Sequence, residues 1–218
     1  MSFDDGDHWQ SLQLNLPVTS MRDLAVKDND LIVATHGRGF WVIDDISVLR
    51  QITDTVAGAD AHLFKPADTF NLPPGTDNGT PLQKDEALFE NAPNGAVIDY
   101  YLKTAATAPV TIDILDPAGQ VIRSYTSTPP AASDTNQTIS ALWRNALEPL
   151  GASAGMHRVT WDLRAGGAGR GGRAGGAGGG GGGRGGAAAP LTGAFTVRLT
   201  VNGEATTQTL TVRADPRR

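Results

Sequence analysis

The sequence predicts an all-β chain built in two parts. Three observations predict it. Short runs of β-branched and aromatic residues recur along the chain. Compact turn formers stand between them, among them Asp28 to Asp30, Gly37 to Gly39, Asp116 to Gly119 and Asn202-Gly203. Between Thr69 and Asn94 the chain changes character and becomes turn-rich, which separates an early group of strands from a later one.

In the early group, Arg22 to Val26, Asp30 to Thr35 and Phe40 to Ile43 read as three short strands. Tight turns join them into an antiparallel meander, the unit of a propeller blade. Val48 to Ile52 reads as a fourth strand or an exit segment. Residues 1–52 are therefore expected to be the last one to two blades of a partial β-propeller. Residues 53–94 are expected to be a linker.

In the later group, Val97 to Leu102, Val110 to Leu115, Gln120 to Tyr125, Met156 to Leu163, Ala194 to Val201 and Ala205 to Val212 are strands at hairpin spacing. They predict a β-sandwich over residues 95–214. In Val159 to Leu163, alternation puts Val159, Trp161 and Leu163 on one face, the expected core face. The alternative for Trp161 is an exposed carbohydrate platform. His157 is expected to be structural. Ile139 to Leu150 reads as a short helix or a loop. Residues 165–189 are glycine, alanine and three arginines. Such chain cannot bury apolar surface, so a disordered loop inside the sandwich is expected.

Bulk composition excludes several functions. The chain has 218 residues, a net charge of -5 and a pI near 5.3. That balance gives no general attraction to nucleic acid or to an anionic membrane. Three arginines in the glycine tract do not change this. Cysteine is absent, which excludes disulfides, thiolate metal sites and cysteine catalysis. No stretch reaches the roughly 18 apolar residues of a membrane span. Met1 to Gln10 has neither the basic start nor the apolar core of a signal peptide.

The segment Ser2 to Trp9 carries the most specific pattern, S-x-D-x-G-x-x-W, with Ser2, Asp4, Gly6 and Trp9 at the marked positions. Its physics is a self-contained turn. The Asp4 carboxylate accepts backbone N–H groups, Gly6 takes a positive φ, and Trp9 starts a strand and buries its ring. A calcium loop of Asp4, Asp5 and Asp7 is the less favoured reading, because the distal Glu of such loops is missing. The segment resembles the Asp-box of BNR-repeat propellers, found in sialidases, sortilin-type ectodomains and bacterial glycosyl-hydrolase-like proteins. His8 departs from the common Thr. Ala34 to Asp45 resembles the last blade of such bacterial proteins. Here His36 and Arg38 stand in a glycine-rich turn, with a propeller-face ligand loop as the sharper alternative. His36 with Asp44 and Asp45 invites a metal or acid/base reading that the spacing does not demand. Gly95 to Leu102, Ile114 to Gly119, Gly155 to Leu163 and Gly193 to Leu199 resemble the Ig-like module that follows such propellers, and more loosely the FlgD-type sandwich.

The resemblance implies a role for Asp-box residues that is structural, since these turns lie on the propeller periphery. It implies no catalytic residue, metal or cofactor in this chain. A retaining sialidase needs an arginine cluster and a Tyr/Glu pair drawn from several blades. Propellers close with about four blades or more, so a fragment that starts inside a blade is expected. Its partners would be the remaining blades or another protein chain, with a carbohydrate or peptide as ligand. The implied roles are a non-catalytic accessory, part of a glycoside hydrolase whose site lies in the missing blades, or a sortilin-like peptide-binding propeller. The implied location of the parent is extracytoplasmic.

Overall fold

The structure is a computed structural model, and it describes residues 1–72, 95–129, 149–166 and 191–217. It is mostly β, with 45% strand and several sheets, one of them curled into a half-barrel, and with one α-helix among the described residues. The chain divides into two compact units, Met1–Ile46 and Ser47–Arg218.

The first unit is a three-stranded antiparallel sheet in the order β1 (Met21–Lys27), β2 (Asp30–Thr35), β3 (Phe40–Ile43). Asp28, in the left-handed region at φ 54°, turns the chain between Lys27 and its partner Asp30. Gly37 and Gly39 turn it again, with φ of 75° and 72°. The register fixes the two faces. Leu24 and Val26 of β1, Leu31 and Val33 of β2, and Trp41 and Ile43 of β3 share one face. Ala25, Ile32, Ala34, Phe40 and Val42 share the other. The first face is mainly apolar and the second is mixed, because Asp23, Lys27 and Asp30 also lie on it, yet no residue from Met1 to Ile46 is buried.

The second unit encloses one core between two sheets. One has the order β4 (Ala61–Leu63), β6 (Ala96–Leu102), β9 (Gly155–Trp161). The other has the order β5 (Thr69–Asn71), β11 (Glu204–Ala214), β10 (Gly193–Val201), β7 (Thr111–Leu115), β8 (Val121–Thr126). Alternation does the sorting. Ala96, Ile98, Tyr100 and Leu102 meet Ile112, Ile114, Phe195, Val197 and Leu199 in a single buried cluster. Trp161 is fully buried there, edge-on to Phe195 with centroids 5.0 Å apart, and its indole N–H donates to the Arg164 carbonyl at 2.9 Å. The platform reading of Trp161 is thereby overturned. Leu163 is buried with it.

Two charged pairs tie strands across their ladders. Asp99, itself buried, accepts from Nε and Nη2 of its cross-strand neighbour Arg158 at 2.8 and 3.0 Å. Arg198 donates to its neighbour Asp113 at 2.7 Å.

Three expectations change. Residues 54–71 of the expected linker are structured. They form helix α1 (Asp54–Gly58), capped by the Thr53 hydroxyl, then β4 and β5, which pair with β6 and β11. Leu49–Gln51 is a 3-10 turn, so of the two readings of Val48 to Ile52 the fourth strand does not form. No strand starts at Trp9; the first begins at Met21. The rest of the linker, most of the glycine tract and residues 139–148 of the expected helix lie outside the described residues.

Candidate functional site

The Ser2–Trp9 turn is held by side chains that are short enough to reach their own backbone. Ser2 Oγ accepts the N–H groups of Asp4 and Gly6 at 3.3 and 2.9 Å and donates to Asp4 Oδ1 at 2.7 Å. Asp4 Oδ1 accepts the His8 N–H at 2.9 Å, and Oδ2 lies 2.6 Å from His8 Nδ1. These bonds, the His8 backbone N–H first, draw the Asp4 carboxyl down to about 2. Gly6 has φ 104°, which L-residues avoid.

Trp9 departs from expectation, because its ring is 75% exposed. The physical reason is local. No strand forms between Trp9 and Ser20, so no sheet lies under the ring. The indole instead folds back over the turn and donates to the Gly6 carbonyl at 2.9 Å.

His36 and Arg38 sit together on the exposed β2–β3 turn. Backbone bonds hold that turn. The His36 N–H donates to the Ser20 carbonyl at 2.9 Å, the Thr19 hydroxyl to the His36 carbonyl at 3.0 Å, and the Trp41 indole to the Arg38 carbonyl at 3.1 Å. Asp44 and Asp45 do not converge on His36. They follow β3 at its far end, beyond the Leu31–Ile43 pair, while His36 lies beyond the Ala34–Phe40 pair. Four residues of strand separate the two ends, about 13 Å. Among the described residues no group of three or more His, Cys, Asp or Glu is placed to hold a metal ion.

In the second unit, His157 stacks on Tyr100 with centroids 5.0 Å apart, and its Nε2 lies 2.7 Å from the Ser153 carbonyl. The Tyr100 hydroxyl donates to the Gly151 carbonyl at 2.6 Å, and burial pushes that phenol up to about 12. A Cβ on Gly151 would stand 2.1 Å from His157 Nδ1, so only glycine lets the loop lie against the ring. These groups lock a loop onto the sheet. His62, edge-on to Phe64 at 4.8 Å, has its pKa lowered by burial.

The sequence reading missed one further feature, a cleft of about 450 Å³ at an open end of the two-sheet core. Its floor includes Leu199 and Val201, both buried. Asp60, Ala61, Thr104, Asn202, Glu204 and Thr206 complete the lining. The signal was present in the turn. Asn202-Gly203 sets a two-residue hairpin in which Val201 pairs with Glu204 and Leu199 with Thr206. That register puts Glu204 and Thr206 on the face of the core residues Leu199 and Val201. The arrangement can hold a ligand by charge and apolar contact.

Comparison of the chain with protein-family models, with curated proteins and with solved structures gave no match.

Proposed function

We propose that the chain is a non-catalytic, structural and ligand-presenting part of a larger BNR-type β-propeller, with the first unit as blade and the second as an Ig-like accessory module. The observation that carries this reading is that β2 and β3 present large apolar side chains on both faces, Leu31, Val33, Trp41 and Ile43 on one and Ile32, Phe40 and Val42 on the other, with nothing in the unit buried. A sheet with one wet face alternates apolar and polar residues, whereas a sheet covered on both sides does not. A propeller blade is covered on both sides by its neighbours. The Ser2, Asp4, Gly6, Trp9 pattern supports the same reading. A hydrolytic or sortilin-type peptide-binding activity, if the parent has one, draws its site from other blades. Placement outside the cytoplasm belongs to the same proposal; among the described residues no helix is long and apolar enough to cross a membrane.

Photo-crosslinking in the producing cells tests it. A photoreactive residue replaces Leu24 on one face and, separately, Val42 on the other, both exposed in this chain. The expected result is capture, at both faces, of polypeptide carrying further S-x-D-x-G-x-x-W turns, identified by mass spectrometry. Capture at neither face, or only of sequence without such turns, contradicts the proposal.

A further inference from the structure

We propose that the cleft at the open end of the second unit binds the side chain of a lysine or arginine in a peptide, a cation on an aliphatic stem. The inference concerns only the second unit and stands whether or not the first is a blade.

The register supplies the first argument. On β10 the inward face runs Phe195, Val197, Leu199, Val201, all buried. On β11 the same face continues as Glu204, Thr206 and Gln208 before it becomes Leu210 and Val212. Three polar residues thus stand where alternation calls for core. Gln208 is accounted for, since its amide donates to the Leu63 carbonyl at 3.2 Å. Glu204 and Thr206 line the cleft. A local rule broken on the inner face of an otherwise regular sheet marks a functional position.

Charge and shape then select the ligand. Two carboxylates, Asp60 and Glu204, line the cleft, and among the described residues that line it none is basic. Lys103, which follows β6, donates its Nζ to the Gly58 carbonyl at 3.2 Å. Anionic ligands are therefore repelled and cations attracted. Among the described residues no third His, Cys, Asp or Glu joins the two carboxylates to form a group that could hold a metal ion. The floor of Leu199, Val201 and Ala61 accepts methylenes, as lysine and arginine stems require. The threonine hydroxyls of Thr104 and Thr206 are acceptors for the N–H donors of either head group. At about 450 Å³ the volume lies within the range of small-ligand sites.

The rim is preorganised. Asn202 Oδ1 accepts from the Thr107 N–H at 2.9 Å, the Thr107 hydroxyl at 3.0 Å and the Ala108 N–H at 3.2 Å. The hairpin tip that carries Glu204 is thereby fixed to the segment that leads into β7, so little ordering accompanies binding.

The test is an NMR titration of the full chain with N-acetyl-lysine methylamide, N-acetyl-arginine methylamide and the uncharged N-acetyl-norleucine methylamide. The expected result is saturable shifts, confined to the amides of Asp60, Ala61 and Leu199 to Thr206, with a Kd on the order of millimolar for one or both cations and no response to norleucine. Glu204→Gln or Asp60→Asn should each weaken binding roughly threefold to tenfold, and the double variant should abolish it. Both carboxylates are exposed, so unchanged amide dispersion verifies that the variants fold. An equal response to norleucine, binding that survives in the double variant, or no cleft shifts with either cation overturns the proposal.

Discussion

Trp9 and Trp161 are the same residue type in opposite circumstances. Trp161 has 0% exposure, an edge contact to Phe195 and a satisfied indole N–H. Gly95, at φ 137°, lies so close to the Trp161 carbonyl that a Cβ there would stand 2.1 Å from its oxygen. That close approach is to the backbone of residue 161, so glycine at 95 is required whatever side chain stands opposite. Truncating a buried Trp costs about 3–5 kcal/mol, against about 5–15 kcal/mol for a whole domain. Trp161→Ala is expected to unfold the second unit or shift its denaturant midpoint by most of its value. Trp9→Ala is expected to change that unit's unfolding by less than about 0.5 kcal/mol, since its exposed ring touches only its own turn. Denaturant unfolding followed by the near-ultraviolet signal of the remaining aromatics checks both. The core role of Trp161 was legible in Val159 to Leu163, because alternation there is strict. The exposure of Trp9 was not, because burial of a ring depends on whether a sheet forms under it.

At the scale of elements, alternation and turn chemistry made the longer strands legible. Asn202-Gly203 fixed a hairpin with Asn202 at φ 50° and Gly203 at φ 90°, and β1, β2, β3 and β6 follow their sequence boundaries closely. The three-residue strands β4 and β5 were hidden, because three residues show no period. Their pairing is also remote: β5 runs parallel to β11, with Thr69 beside Val212, and the Arg213–Asp68 ion pair flanks that contact. The cleft was hidden for a related reason, since it needs both sheets, although half of its lining follows from the Asn202-Gly203 register. The same turn yields a prediction. Asn202→Gly keeps the left-handed conformation but loses three accepted hydrogen bonds, so it should cost about 1 kcal/mol. Asn202→Ala loses the bonds and also strains the backbone, adding about 1 kcal/mol more. Urea unfolding of the two variants separates the contributions. A neutral Asn202→Gly would mean that the clamp on Thr107 and Ala108 contributes nothing to stability.

Across the whole molecule the two units differ in kind. The second buries a continuous core between two sheets and satisfies its buried Asp99 with a two-pronged arginine. The first has a well-formed ladder and no buried residue, with Phe40 at 76% and Leu24 at 61% exposure on opposite faces. Hydrogen bonding alone holds such a sheet weakly, because most of the stability of a sheet comes from packing on its faces. Its opening should therefore be local, and that of the second unit global. Native-state hydrogen exchange on the isolated chain measures this most directly. The account predicts that the amides of β2, the central strand of the first sheet, exchange at least about a hundredfold faster than those of β6 and β10. Equal protection of β2 and β10 in the isolated chain would show that the first unit needs no cover on either face, and would contradict the reading of it as a blade.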